Sequence, residues 1–265
     1  MRFDLVTLFP DIFGGFLSEA LMAKALARGV IQVTLTNPRD FAPDRHRTCD
    51  DRPYGGGPGM VLKPEPLALA IEAAGTGLPR PWRICLTPSG TRLDQAKVRE
   101  LLARERLLII CGRYEGFDQR LIDLLADEEI SIGDYVVNGG EVPAMVLMEA
   151  VARLTPGFMG RTLSAEEESH QAGLLEYPHY TRPPSFRGLD VPGILLSGHH
   201  QAVAEWRLAA AVAKTLDRRP EMLASDELTP ALRAALAALS RPAAPGAAAV
   251  PARPSPKQPG RKAAG

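Results

Sequence analysis

The feature that most constrains this chain is the alternation of short apolar runs with helical patterns along its first part. "RFDLVTLF" gives way to the helical "FLSEALMAKALARG", stopped by Gly29, and then to "VIQVTLT". After a long loop come the helical "PEPLALAIEAAG", the strand-like "WRICLT", the helical "RLDQAKVRELLARE", the strand-like "LLIIC" and the short helical "QRLIDLLAD". Strands separated by helices return in the same direction, so the pattern predicts βαβ units and an α/β domain built on a parallel sheet. "EISIGDYVV" reads as a further strand entering a glycine turn, and "EVPAMVLMEAVARL" as a helix ended by Pro156 and Gly157.

The character of the chain then changes. "RTLSAEEESHQAG" is polar, acidic and aperiodic, as a linker would be, and a second domain is expected to begin near Ser169. Its clearest elements are the Ala-rich "HHQAVAEWRLAAAVAKTL" and "DELTPALRAALAAL", both helical. From Ser240 the sequence is Pro, Ala and Gly with scattered Arg and Lys, too poor in large apolar groups to form a core. The expected organisation is an α/β domain over 1–158, a linker over 159–169, a small, mainly helical domain over 170–239 and a basic tail over 240–265.

Charge and cysteine usage exclude several classes. Lys+Arg and Asp+Glu balance at 31 each, so no global field announces a polyanionic partner and any basic surface must be local. Cys49, Cys85 and Cys111 are widely spaced and form no CxxC pair, which disfavours a disulfide framework and a zinc site and fits a reducing cytoplasm. Asp4 and Pro10 interrupt what would have to be a signal peptide, and no uncharged run reaches membrane-spanning length, so neither export nor membrane insertion is expected.

Three glycine-rich segments, "RPYGGGPGM", "CGRYEGFDQR" and "SIGDYVVNGG", are candidates for holding a ligand. None carries the spacing of a P-loop or of a dinucleotide fingerprint. Between Arg120 and Arg153 there is no Lys, Arg or His, whereas Asp123, Asp127, Glu128, Glu129, Asp134, Glu141 and Glu149 all fall there, a setting that would repel phosphate. Glycine loops with acids at the ends of parallel strands suit a neutral or cationic ligand approached closely by backbone, and S-adenosylmethionine fits that description.

The motifs "DDRPYGGGPGM", "LTPSG", "CGRYEG", "SIGDYVVNGGE", "YPHYTRP" and "LLSG", in this order, resemble the bacterial tRNA (guanine-N1) methyltransferase family of the SPOUT superfamily, over nearly everything from Met1 to about Leu223. The resemblance implies a trefoil knot over about 84–144 whose loops bind S-adenosylmethionine, and a homodimer with an active site shared between subunits. Carried over residue by residue, the cofactor site would take Leu86, Thr87, Pro88 and Gly90 from the first loop. Gly112, Tyr114, Glu115 and Gly116 would come from the second, and Ser131, Ile132, Gly133, Tyr135, Val137, Gly139, Gly140 and Pro143 from the third.

Methylating N1 of guanine requires removal of its proton and stabilisation of charge on O6. The resemblance implies a linker Asp as general base, followed by Ser and Phe, with an Arg closing the preceding helix as its assistant. Here the Arg is Arg153 and the linker reads Glu167-Glu168-Ser169-His170, which places Glu168 at the base position and His170 where Phe is expected; Glu166 and Glu167 remain alternatives in register. On residue type alone the acidic run would be a solvated linker and Arg153 a charge at a helix C-terminus. "YPHYTRPPSFRG" offers His179, Arg182 and Arg187 among aromatic rings with no acid, chemistry suited to RNA phosphates and unstacked bases, and "PDRHRT" is a second basic cluster. The resemblance further implies tRNA contact at Gly55, Gly59, His179 and Arg182, methylation at position 37 beside the anticodon, and a requirement for magnesium. No metal-ligand set is assigned, the adjacent histidines of "SGHH" reading as a helix-start region.

Overall fold

A computed structural model describes residues 1–159 and 173–223. The chain divides into two compact units, Met1–Ala165 and Glu166–Gly265. In the first, five strands form one parallel sheet: β1 (Arg2–Val6), β2 (Gln32–Thr36), β5 (Trp82–Arg92), β6 (Arg106–Cys111) and β7 (Glu128–Ser131), in the order β2-β1-β6-β5-β7. Two-residue strands β3 (Asp50–Asp51) and β4 (Val61–Leu62) pair antiparallel beside it. The helices are α1 (Gly14–Ser18), α2 (Ala20–Ala27), α3 (Pro64–Ala74), α4 (Gln95–Leu102), α5 (Gln119–Leu125) and α6 (Glu141–Leu154).

Alternation along the strands explains the layers. Phe3, Leu5, Leu107 and Ile109 face a core closed by α1, α2, α4 and α6, whereas Val6, Leu108 and Ile110 face one closed by α3 and α5. Because both faces of β6 are covered, all six of its residues are buried, which is why "LLIIC" after Arg106 reads as a continuous apolar run.

Two expectations need correction. The helix expected over "FLSEALMAKALARG" is two helices, because Glu19 is extended and Ala20 takes a φ of 52°. Gly29 does end the second: its N–H donates to Leu26 O and that of Val30 to Ala25 O, a paired closure that needs its φ of +67°. The strand expected over "EISIGDYVV" stops at Ser131, whose Oγ accepts from the Gly133 N–H and turns the chain out of the sheet.

One buried ion pair ties β1 to β6. Asp4 Oδ2 accepts from Arg106 Nε at 2.6 Å, and both side chains are about 1% exposed. The rest of the Arg106 guanidinium donates to the carbonyls of Ala74, Thr76, Gly77 and Pro79, saturating the chain just past α3.

In the second unit, α7 (His200–Arg218) presents Leu208, Ala211, Val212 and Thr215 along one face, and Leu174, Tyr177 and Leu223 pack against them. Thr215 Oγ1 accepts from Leu175 N and Lys214 Nζ donates to Glu176 O, pinning the segment entering this unit to α7. A hairpin of β8 (Ser185–Phe186) and β9 (Leu189–Asp190) turns through Arg187 and Gly188, both at positive φ. The expected helix "DELTPALRAALAAL", the tail over 240–265 and the linker beyond residue 159 lie outside the described residues.

Candidate active site

Three loops leave the C-terminal ends of neighbouring strands β5, β6 and β7, the place where open parallel sheets bind ligands. Within β5, Leu86 and Thr91 both register with Ile130, so residues 87–90 are extruded as a loop; Thr87 Oγ1 accepts from the Ser89 N–H and fixes its shape. After β6, residues 112–118 turn through Tyr114 at φ 60° and Gly116 at φ 112°. After β7, residues 132–140 cross back to α6.

Together the loops enclose a cleft of about 370 Å³. Leu86, Thr87, Pro88, Gly112, Tyr114, Glu115, Gly116, Ser131, Ile132, Tyr135, Val137, Gly139, Gly140 and Pro143 all line it. Of the expected cofactor residues, Gly90 and Gly133 lie outside the lining. Their glycines answer to packing: a Cβ on Gly90 would stand 2.5 Å from Ile130 N, and one on Gly133 2.7 Å from the Tyr135 ring. Gly140 is similarly compressed, its missing Cβ falling 2.7 Å from Gly112 N while its N–H donates to Gly112 O at 2.8 Å. Gly90→Ala is therefore expected to cost about 1–3 kcal/mol by overpacking, seen as a lowered Tm. Gly14→Ala, with nothing within 4 Å of its added methyl, is the control expected to leave Tm near that of the parent.

The electrostatics differ from the sequence expectation. Of the acids between Arg120 and Arg153, only Glu129 lines the cleft; Glu115 joins it from the second loop. Asp127 is bound to Arg80 and to the Arg83 N–H, and Glu128 to Lys97 and Trp82 Nε1. These two stand at the start of β7, the end of the strand away from the loops. Asp134 is exposed and outside the lining.

Sequence reasoning passed over Arg113, the cation that lines the cleft among the described residues. Its guanidinium lies 4.5 Å from the Phe9 ring and reaches Asn138 O, and its Nε forms a close ion pair with Glu141 Oε2 at 2.8 Å. Glu141, 1% exposed, also accepts from Thr7 Oγ1 at 2.8 Å in the first turn of α6. Burial pushes the Cys85 thiol up to about 12 and the Cys111 thiol well above its usual range, with Glu129 and Glu141 respectively adding to the rise, so both thiols stay protonated and inert.

The "GGGPGM" segment is stitched to the second loop by main chain: Glu115 N–H donates to Met60 O and Leu62 N–H to Gly116 O. Gly59 leaves no room for a side chain beside Glu115, and Gly55 has a φ of 84° on the exposed part of the same segment. Arg153 lies in the last turn of α6, half-buried. Glu166, Glu167, Glu168 and His170 lie outside the described residues.

In the second unit His179 bonds Glu176 at 2.7 Å and lies tilted against Tyr177 with ring centroids 4.8 Å apart, so an acid just outside the basic segment tempers it. Arg182 lines a second concavity with Tyr180, Pro184 and Leu196. Among the described residues no helix is long and apolar enough to cross a membrane, and no group of three or more His, Cys, Asp or Glu is assembled to hold a metal ion.

Residues 1–225 match the family model described as tRNA (Guanine-1)-methyltransferase TrmD. Among curated proteins, a tRNA (guanine-N(1)-)-methyltransferase of Methylococcus capsulatus is 53% identical over 231 residues, 87% of this chain and 92% of that protein. The protein of the same name from Geobacter sulfurreducens is 50% identical over 92% of this chain and all of its own length. That from Geobacillus kaustophilus is 49% identical over 86% and 94%.

Proposed function

We propose, for a chain that belongs to the tRNA (Guanine-1)-methyltransferase family, a complete reading of the reaction and of the residues that carry it. The enzyme transfers a methyl group from S-adenosylmethionine to N1 of a guanine in tRNA. The observation that carries the cofactor assignment is the convergence of three strand-end loops on one cleft, lined by Gly112, Gly116, Gly139 and Gly140 and carrying the carboxylates of Glu115 and Glu129. Glycines let main-chain groups approach the adenine and ribose, and a lining without an unpaired phosphate-binding cation suits a cationic sulfonium.

In the proposed step the target guanine, at position 37 of tRNA, leaves its stack and enters beside the cofactor. Glu168 accepts the N1 proton, N1 forms its bond to the methyl carbon, and the sulfonium–methyl bond breaks to leave S-adenosylhomocysteine. Arg153 offsets the charge gathering on O6. S-adenosylmethionine supplies the methyl group; what this chain supplies is a shaped cleft, a base and a counter-charge.

The trefoil knot over about 84–144 belongs to the same proposal and is supported by the close backbone approach of Gly140 to Cys111 and Gly112. So does the homodimer, which would bury the exposed apolar side chains of Phe9, Ile12, Val142 and Val146. The cytoplasm is the proposed location. Magnesium is proposed as a requirement of the reaction; the described residues form no protein-only cage for it, and no step is assigned to it.

The test incubates the protein with unmodified tRNA bearing guanine at position 37, methyl-labelled S-adenosylmethionine and magnesium, followed by nucleoside mass spectrometry. 1-Methylguanosine at that position is expected. Binding of both substrates without a methylated nucleoside would overturn the catalytic reading. A separate prediction concerns RNA contact: Arg182→Ala is expected to weaken tRNA binding by about 1 kcal/mol and to reduce the log–log salt slope by about one unit, measured by filter binding.

A further inference from the structure

A buried carboxylate is costly unless paired, and Glu141 is held at 1% exposure by two partners and a helix N-terminus. Its ion-pair partner, Arg113, is 20% exposed at the side chain and lines the cleft. An unopposed guanidinium there would repel a cationic ligand, as unit charges a few ångströms apart interact strongly when partly shielded from water. The same pair also fixes place: Arg113 bridges in antiparallel fashion to Gly139, and a Cβ on Gly139 would stand 2.4 Å from Arg113 Nε.

We propose that Glu141 is the charge-compensating and positioning residue of the cleft: by neutralising Arg113 across the crossing of the second and third loops, it lets the site prefer the cationic methyl donor over its neutral product. The inference rests on S-adenosylmethionine occupying this cleft. Thr7 completes the device by holding the other carboxylate oxygen, and its own Oγ1 accepts from Phe9 N–H, which sets the ring under Arg113. Glu141 is not among the residues that line the cleft; it acts through Arg113.

The test compares the Kd of S-adenosylmethionine with that of S-adenosylhomocysteine by calorimetry, in the parent protein and in variants. The two ligands differ in the sulfonium methyl and its charge, so a purely structural role for Glu141 would weaken both alike and leave their ratio unmoved. In Glu141→Gln the ratio is expected to shift against S-adenosylmethionine by on the order of tenfold. In the double variant Arg113→Met/Glu141→Gln, which removes both charges, it is expected to return to the parent value. An unchanged ratio in Glu141→Gln, or a shifted ratio that the double variant fails to restore, would overturn the proposal. Should Glu141→Gln not fold, Arg113→Gln at pH 8.5 is expected to move the ratio the opposite way, and no movement would overturn it. A parent protein that binds neither ligand would remove the cofactor reading together with this inference, an outcome distinct from an unmoved ratio.

Discussion

Replacing Glu168 by Gln is expected to slow methyl transfer by about 10²–10⁴-fold while S-adenosylmethionine affinity stays at the parent level. The amide keeps the shape of the side chain but cannot take the N1 proton, and the cofactor loops are remote in sequence from the change. Single-turnover kinetics with saturating tRNA separate the chemical step from binding. The acid-side limb of the pH–rate profile is expected to disappear with the carboxylate. Parallel Gln substitutions of Glu166 and Glu167 fix the register: a loss as large at either, with Glu168→Gln near the parent rate, would move the base. Glu168→Asp then measures the extra methylene, since a shift of about 1 Å in a catalytic group can cost on the order of a hundredfold.

The second large effect is on stability. Arg106→Met is expected to destabilise the protein by about 3–5 kcal/mol, because buried Asp4 would keep only the more exposed Arg2 as counter-charge and four carbonyls at and just past the end of α3 would lose their donor. Denaturant unfolding with an unchanged m-value is the measurement. Asp4→Asn combined with Arg106→Met should recover part of the loss, since the neutral pair leaves no buried charge. If the double variant were as unstable as the sum of the singles, the ion pair would not be the cause and the carbonyl contacts would be.

Much of the α/β unit was legible because its elements carry their own punctuation. Pro64 opens α3, Asp94 caps α4 by accepting from the Lys97 N–H, and Gly29 closes α2. The break between α1 and α2 was not legible, since Ser18, Glu19 and Ala20 include neither Gly nor Pro. The cleft was visible in its glycines but its charge was misjudged. Composition alone assigns Asp127 and Glu128 to the ligand, yet they precede or open β7, and in a parallel sheet the ligand end is the other one. Arg113 passed as a spacer within "CGRYEG" because its counter-charge, Glu141, lies 28 positions on, and only the crossing of two loops joins them.

The pairing of β1 with β6 has a consequence for synthesis on the ribosome. Arg2 registers with Arg106, about a hundred residues later, so at about 5–20 residues per second the first strand waits roughly 5–20 s for its inner neighbour. During that interval β2 can cover one edge only, and Asp4 has no Arg106 to meet. Completion of the sheet therefore coincides with delivery of the guanidinium that pairs with Asp4 inside the core.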